Sequence, residues 1–134
     1  MFESLIRFRV PIDGTHDLGP GPLETLRKQD TRYHLSRCMT CGCCLEACPQ
    51  FTIDNDFIGA AAIGQTRYFN EHETGSSLQH ERLDILEKSG GISDCGNAQN
   101  CVKVCPKDIP FTEAIAAIGR QATVHALRKF FTGR

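Results

Sequence analysis

The spacing of the cysteines constrains this chain more than any other feature. The first block reads Cys38-Met-Thr-Cys41-Gly-Cys43-Cys44-Leu-Glu-Ala-Cys48-Pro49. With Cys43 set aside it is C-x2-C-x2-C-x3-C-P, a run that holds a cubane iron–sulfur cluster. Gaps of two residues let one curl of backbone aim three thiolates at a single cluster. The fourth cysteine lies a helical turn further on and points away from them. Pro49 has no N–H to donate and stops the helix there. In proteins with two clusters that fourth cysteine ligates the other cluster, so the motif predicts a partner.

The partner lies 57 residues on (38 to 95) and reads Cys95-Gly-Asn-Ala98-Gln-Asn-Cys101-Val-Lys-Val-Cys105-Pro106. In register with the first block it becomes C-x2-A-x2-C-x3-C-P. Ala98 stands at a ligand position and cannot bind iron. With the fourth cysteines exchanged, Cys38, Cys41, Cys44 and Cys105 hold one cluster, which should be [4Fe–4S]. Cys95, Cys101 and Cys48 hold the other, and three thiolates suit [3Fe–4S]. Cys43 is one residue out of phase and reads as a bystander, although spacing alone also admits Cys43 in place of Cys44.

Two blander uses of the cysteines compete with this. Disulfides need an oxidising address, and the first ten residues, MFESLIRFRV, carry no apolar signal-like core. Zinc also takes C-x2-C pairs, but a zinc ribbon needs two, and the second block has none. The rest of the composition adds little chemistry. With 15 Lys+Arg against 16 Asp+Glu the net charge is −1, which argues against a nucleic-acid partner. No apolar run approaches the ~20 residues of a membrane span. A soluble, intracellular, metal-carrying domain is expected, and no catalytic triad, paired catalytic carboxylates or phosphate loop is visible.

Elsewhere the periodicity is helical. Phe57, Ala60, Ala61, Gly64 and Tyr68 fall on one helix face. Leu78, Leu83, Ile85 and Leu86 predict a second helix, opened by a Ser76–Gln79 capping box and closed by Gly90-Gly91. Ile115, Ile118, Ala122, Ala126 and Phe130 predict a third, with Thr112 as N-cap. A shorter helix with a weak stripe is expected from about Glu24 to Leu35. Strand signals are absent, so the fold expected is mostly α, a helical domain over 24–134 built around two clusters. Residues 1–23 read as a loop or linker. Arg120, Arg128, Lys129 and Arg134 form an acid-free basic end, either complementing the helix dipole in solvent or facing a membrane or acidic partner. His16, His34, His72, His80 and His125 make no helical ligand pair and are expected at the surface or as caps.

CMTCGCCLEACP, ERLDILEKSGGISDC and DCGNAQNCVKVCPKDIPFTEAIAAIGR together resemble the iron–sulfur subunit of succinate dehydrogenase and fumarate reductase, over nearly the whole chain. The likeness is to its C-terminal, two-cluster, α-helical ferredoxin-type half, in the wording of menaquinone-using Gram-positive bacteria. It implies the same ligand sets and a role in electron transport in the tricarboxylic acid cycle. A flavoprotein subunit would deliver electrons through [4Fe–4S] and then [3Fe–4S] to quinone, menaquinone above all, in a cytochrome b membrane anchor. The chain would sit peripherally on the cytoplasmic face of the membrane, with no dicarboxylate chemistry of its own. Heterodisulfide-reductase and anaerobic glycerol-3-phosphate dehydrogenase subunits are the related alternative, but those carry two full four-cysteine motifs. A zinc-stabilised interaction module is the alternative from another class.

The family's preceding [2Fe–2S] domain, C-x4-C-x2-C…C, has no counterpart before Cys38. A fragment, a late start or half of a split subunit would account for that. Ile53 and Gly96 stand where some members place a tryptophan and a histidine near quinone. Pro49 and Ala98 are left as candidate walls of a quinone site.

Overall fold

The computed structural model describes residues 24–132, so the expected linker over 1–23 lies outside the described residues. Its helices are α1 (Leu26–Ser36), α2 (Cys43–Glu46), α3 (Gly59–Asn70), α4 (Gln79–Leu86), α5 (Asn100–Lys103) and α6 (Phe111–Thr132). Short 3-10 turns occupy Gly75–Leu78 and Ile92–Asp94. Among the described residues there is no strand, and the mostly α reading holds.

The cysteine blocks are carried on the two shortest helices, α2 and α5, and the longer helices form the frame behind them. α3 and α6 pack side by side at its centre. Gly64 of α3 permits the approach: a Cβ there would stand 3.0 Å from the Phe111 ring. One apolar cluster joins Leu35, Ala60, Ile109, Phe111 and Ala114 to the thiols of Cys44 and Cys101. A second gathers Ile63, Leu86 and Ile118 at the far end. Each fully buried Leu, Ile or Phe contributes about 1.5–3 kcal/mol. α1 starts where Thr25 accepts the Lys28 N–H at 3.4 Å, and it buries only Leu35. Its weak stripe is that of a surface helix tied down at one end.

Polar side chains fasten the frame where the apolar pattern runs out. Arg82 is 2% exposed, and its Nη1 donates to Asn70 Oδ1 and to the Gly75 carbonyl, both at 2.7 Å. Burial pulls its guanidinium below the ordinary arginine value. Asn70 Nδ2 in turn donates to Gln121 Oε1 at 3.1 Å, so one chain of bonds links α4, α3 and α6.

Several local expectations are corrected. No capping box forms at Ser76, whose hydroxyl turns back to the Glu73 carbonyl at 2.6 Å while a 3-10 turn leads into α4. Serine hydroxyls compete for nearby carbonyls in this way. α4 ends at Leu86, short of Gly90-Gly91, and Ile85 points away from its buried face. Thr112 lies inside α6, because Pro110 already supplies the first acceptor, to the Ala114 N–H at 3.1 Å. The buried stripe of α6 is Phe111, Ala114, Ile118, Ala122 and His125, and both Ala126 and Phe130 are exposed. α6 has 22 residues and α3 has 12. At about 1.5 Å per residue its last turns outrun the partner helix.

Candidate metal centres

The two cysteine blocks fold as a structural repeat. Thr40 and Gly42 take φ of 52° and 84°, and Asn97 and Gln99, 57 residues on (40 to 97, 42 to 99), take 53° and 61°. Alternate left-handed residues curl the chain around the residue between them, which is Cys41 in one block and Ala98 in the other. Gly42 adopts its conformation freely; Gln99 does so against the steric preference of a side chain. The hydrogen bonds repeat in the same register. Cys38 N to Leu35 O is matched by Cys95 N to Ile92 O, and Leu45 N to Gly42 O by Val102 N to Gln99 O. Ala47 N to Cys43 O is matched by Val104 N to Asn100 O, Cys48 N to Leu45 O by Cys105 N to Val102 O, and Phe51 N to Cys48 O by Asp108 N to Cys105 O. Pro49 and Pro106 follow at the same point.

The repeat is assembled crosswise. One cavity is lined by Cys38, Cys41, Cys43 and Cys44 of the first block and by Cys105 of the second, against Ala61, Ile109 and Phe111. A second is lined by Cys95 and Cys101 of the second block and Cys48 of the first, with Pro49, Ala98, Ala60 and Phe57. Ala60 and Ala61 are neighbours on α3 and serve opposite cavities, where larger side chains would fill the space. The four residues expected around one centre and the three expected around the other are thus each brought together. Pro49 and Ala98 both border the second cavity, while Ile53 is 95% exposed. Gly96 also borders it, and a Cβ there would lie 2.5 Å from Gln50 Nε2.

The electrostatics fit a cationic core. Burial pushes the Cys44 thiol above its ordinary value, and its neighbours Cys38, Cys101 and Cys41 raise it further; only the Ala61 N–H opposes them. Cys101 is pushed up by burial as well, with Cys95 and Cys48 adding to it. Thiols this close cannot all ionise in an apolar cavity unless positive charge sits among them, which is what bound iron supplies. The donor set and its apolar walls therefore fit iron–sulfur clusters.

A family model described as a 4Fe-4S dicluster domain matches residues 34–109. The chain belongs to that family. The match covers both cysteine blocks and the helices between them. The dicluster chain is 50% identical over 133 residues to the succinate dehydrogenase iron–sulfur subunit of Bacillus subtilis (strain 168), covering 98% of this chain and 53% of that one. It is 38% identical over 88 residues to the fumarate reductase iron–sulfur subunit of Escherichia coli O157:H7, or 65% of this chain and 36% of that one. Against the fumarate reductase iron–sulfur subunit of Mycobacterium tuberculosis (strain CDC 1551 / Oshkosh) it is 31% identical over 119 residues, 87% and 44% of the two chains. The chain spans about half the length, or less, of these relatives. Among the described residues no helix is long and apolar enough to cross a membrane.

Sequence periodicity missed one polar cluster. His125 is buried, not superficial, with Nε2 2.8 Å from Asp84 Oδ1 and Nδ1 3.2 Å from His80 Nδ1. Ligand-capable atoms of Asp84, Glu87 and His125 lie within 4.8 Å of one another. Lys129 Nζ already stands 2.7 Å from Asp84 and 3.5 Å from Glu87, so an ammonium already pairs with both carboxylates. This cluster is an ion-paired clasp between α4 and α6. Part of the basic end is accounted for by it.

Proposed function

We propose that this chain is the two-cluster, quinone-side half of the iron–sulfur subunit of a succinate:quinone oxidoreductase or quinol:fumarate reductase. Cys38, Cys41, Cys44 and Cys105 hold [4Fe–4S], and Cys95, Cys101 and Cys48 hold [3Fe–4S]. The observation that carries the reading is the crosswise cavity pair, with four usable thiols at one centre and Ala98 at the fourth position of the other. When bound, such clusters exchange single electrons at potentials set by cluster type, hydrogen bonds and exposure. The chain's own residues hold the sulfurs, present the Ala61 N–H to Cys44, and wall off water with Ile109, Phe111 and Phe57. No residue of this chain is assigned to dicarboxylate chemistry.

The named relatives support a flavoprotein partner and a membrane anchor holding quinone. The family resemblance, with Ile53 and Gly96 where some members place a tryptophan and a histidine, favours menaquinone and a peripheral place on the cytoplasmic face of the membrane. Pro49 and Ala98 border the second cavity and are assigned to the quinone-side wall. Anaerobic reconstitution followed by low-temperature EPR tests the reading. A [3Fe–4S] signal in the oxidised protein and a cubane signal on reduction are expected. Two reducible cubanes would move the chain to the heterodisulfide-reductase or glycerol-3-phosphate dehydrogenase type. A colourless zinc protein would end every redox reading.

A further inference from the structure

The first cavity contains one thiol more than a four-iron cluster needs. Cys43 lines it together with Cys38, Cys41, Cys44 and Cys105. Cys43 also borders a shallow outer cleft with Cys41, Gly42, Glu46, Ala47 and Val104, so it stands on the rim between the cavity and solvent. Spacing alone left open an exchange of Cys43 with Cys44. The structure rules on that: Cys44 is buried in the apolar cluster, whereas Cys41 and Cys43 are both exposed. Trading Cys43 for Cys44 would require repacking of the core. Cys41, in contrast, shares both the cavity and the outer cleft with Cys43.

Two further observations point to Cys41 as the exchange partner. Gly42, with φ of 84°, turns the chain sharply between the two cysteines. The repeat supplies a contrast. The equivalent of Cys43 in the second block is Asn100, whose Nδ2 is committed to the Ala47 carbonyl at 3.0 Å.

We infer that Cys43 is a reserve ligand of the first centre, able to bind the iron that Cys41 holds when the Cys41 sulfur is lost. The exchange transfers no electron: the Cys43 S–H proton leaves to solvent as its sulfur bonds to iron. The inference rests on the ligand assignment proposed above, and the wild-type chain serves as the control for that assignment.

The test uses the full chain as wild type, C41A, C43A and C41A/C43A, each reconstituted anaerobically with ferrous iron and sulfide. Iron content, EPR of the reduced protein, and the sites alkylated by iodoacetamide are then read. Wild type and C43A should carry the same iron, with Cys43 alkylated in wild type. C41A should keep the four-iron signal and wild-type iron content while Cys43 becomes protected from alkylation. The double variant should lose about one iron from the first centre. C41A matching the double variant, in iron or in loss of signal, overturns the inference, and so does protection of Cys43 in wild type. A wild-type chain without a four-iron centre would instead overturn the underlying assignment.

Discussion

Between its two left-handed residues the first block carries Cys41, and between its own two the second carries Ala98. Around those positions five backbone hydrogen bonds of the two blocks match in register, donor for donor and acceptor for acceptor. Both positions are exposed on the rim of their cavities. On the ligand sets proposed above, one rim side chain, and not the backbone, would set how many irons a centre takes. The buried thiols of the two blocks, Cys44 and Cys101, lie in the same apolar cluster. Each block gives its last cysteine to the other's cavity, so neither centre belongs to a single stretch of sequence.

Exchanging ligands across the repeat gives the strongest way to break this comparison. Cys105→Ala should abolish the reduced four-iron signal, although Cys105 lies in the second block, and leave the oxidised three-iron signal in place. Cys48→Ala should do the reverse. Low-temperature EPR with iron quantitation checks both, and ligation confined within each block would give the opposite pair of losses.

Ala98→Cys sharpens the comparison by restoring the missing rim thiol. The second centre should then gain about one iron and exchange its oxidised [3Fe–4S] signal for a reducible cubane. Because Ala98 is exposed, the substitution itself should change stability by no more than about 0.5 kcal/mol. An unchanged iron content would mean that something other than the rim residue fixes the cluster type.

Much of this was legible in the cysteine and proline spacing, because a cluster imposes its geometry on a short stretch of chain. The register between blocks came from local pattern, and so did Ala60 and Gly64 on the buried face of α3, although Phe57 lies ahead of that helix and the fully buried Ile63 was not in the expected stripe. What escaped was set by distant partners. His125 could not be placed from its neighbours, since Asp84 and His80 lie 41 and 45 positions away. Arg82 reads as a surface residue until Asn70 and the Gly75 carbonyl are seen around it. The Ser76 hydroxyl could accept from a helix N–H or donate to the Glu73 carbonyl, and the end of α6 depended on the length of another helix.

A smaller asymmetry between the blocks sits at Asn100 and its equivalent, Cys43. Asn100→Ala removes the bond to the Ala47 carbonyl that ties one block to the other, and should cost about 0.5–1.5 kcal/mol of unfolding free energy. Cys43→Ala should fall within about 0.5 kcal/mol of wild type. Denaturant unfolding of the reconstituted proteins measures both. Equal costs would mean that the blocks are fastened symmetrically after all.

The smallest effect lies outside both blocks, in the clasp between α4 and α6, and it isolates the frame from the centres. Lys129, and next His125, hold the Asp84 carboxyl below its ordinary value of 3.8, and Asp84 holds the Lys129 ammonium above 10.5. A carboxylate with a lowered folded-state pKa stabilises the fold above its ordinary pKa, and that stability is lost as pH falls through the folded value. A raised ammonium behaves in the opposite sense and loses its share as pH rises through its own folded value. The gap in Tm between wild type and Lys129→Met should therefore be full near pH 6 and close as the pH drops below about 4. Comparing the two proteins at one pH cancels the acid lability of the clusters, which both share. The EPR signals of the two centres should be the same in both proteins at pH 6, because the clasp touches neither cavity. If Lys129→Met altered either signal, the frame and the centres would be coupled, and the rim side chain would no longer account alone for the difference between the blocks.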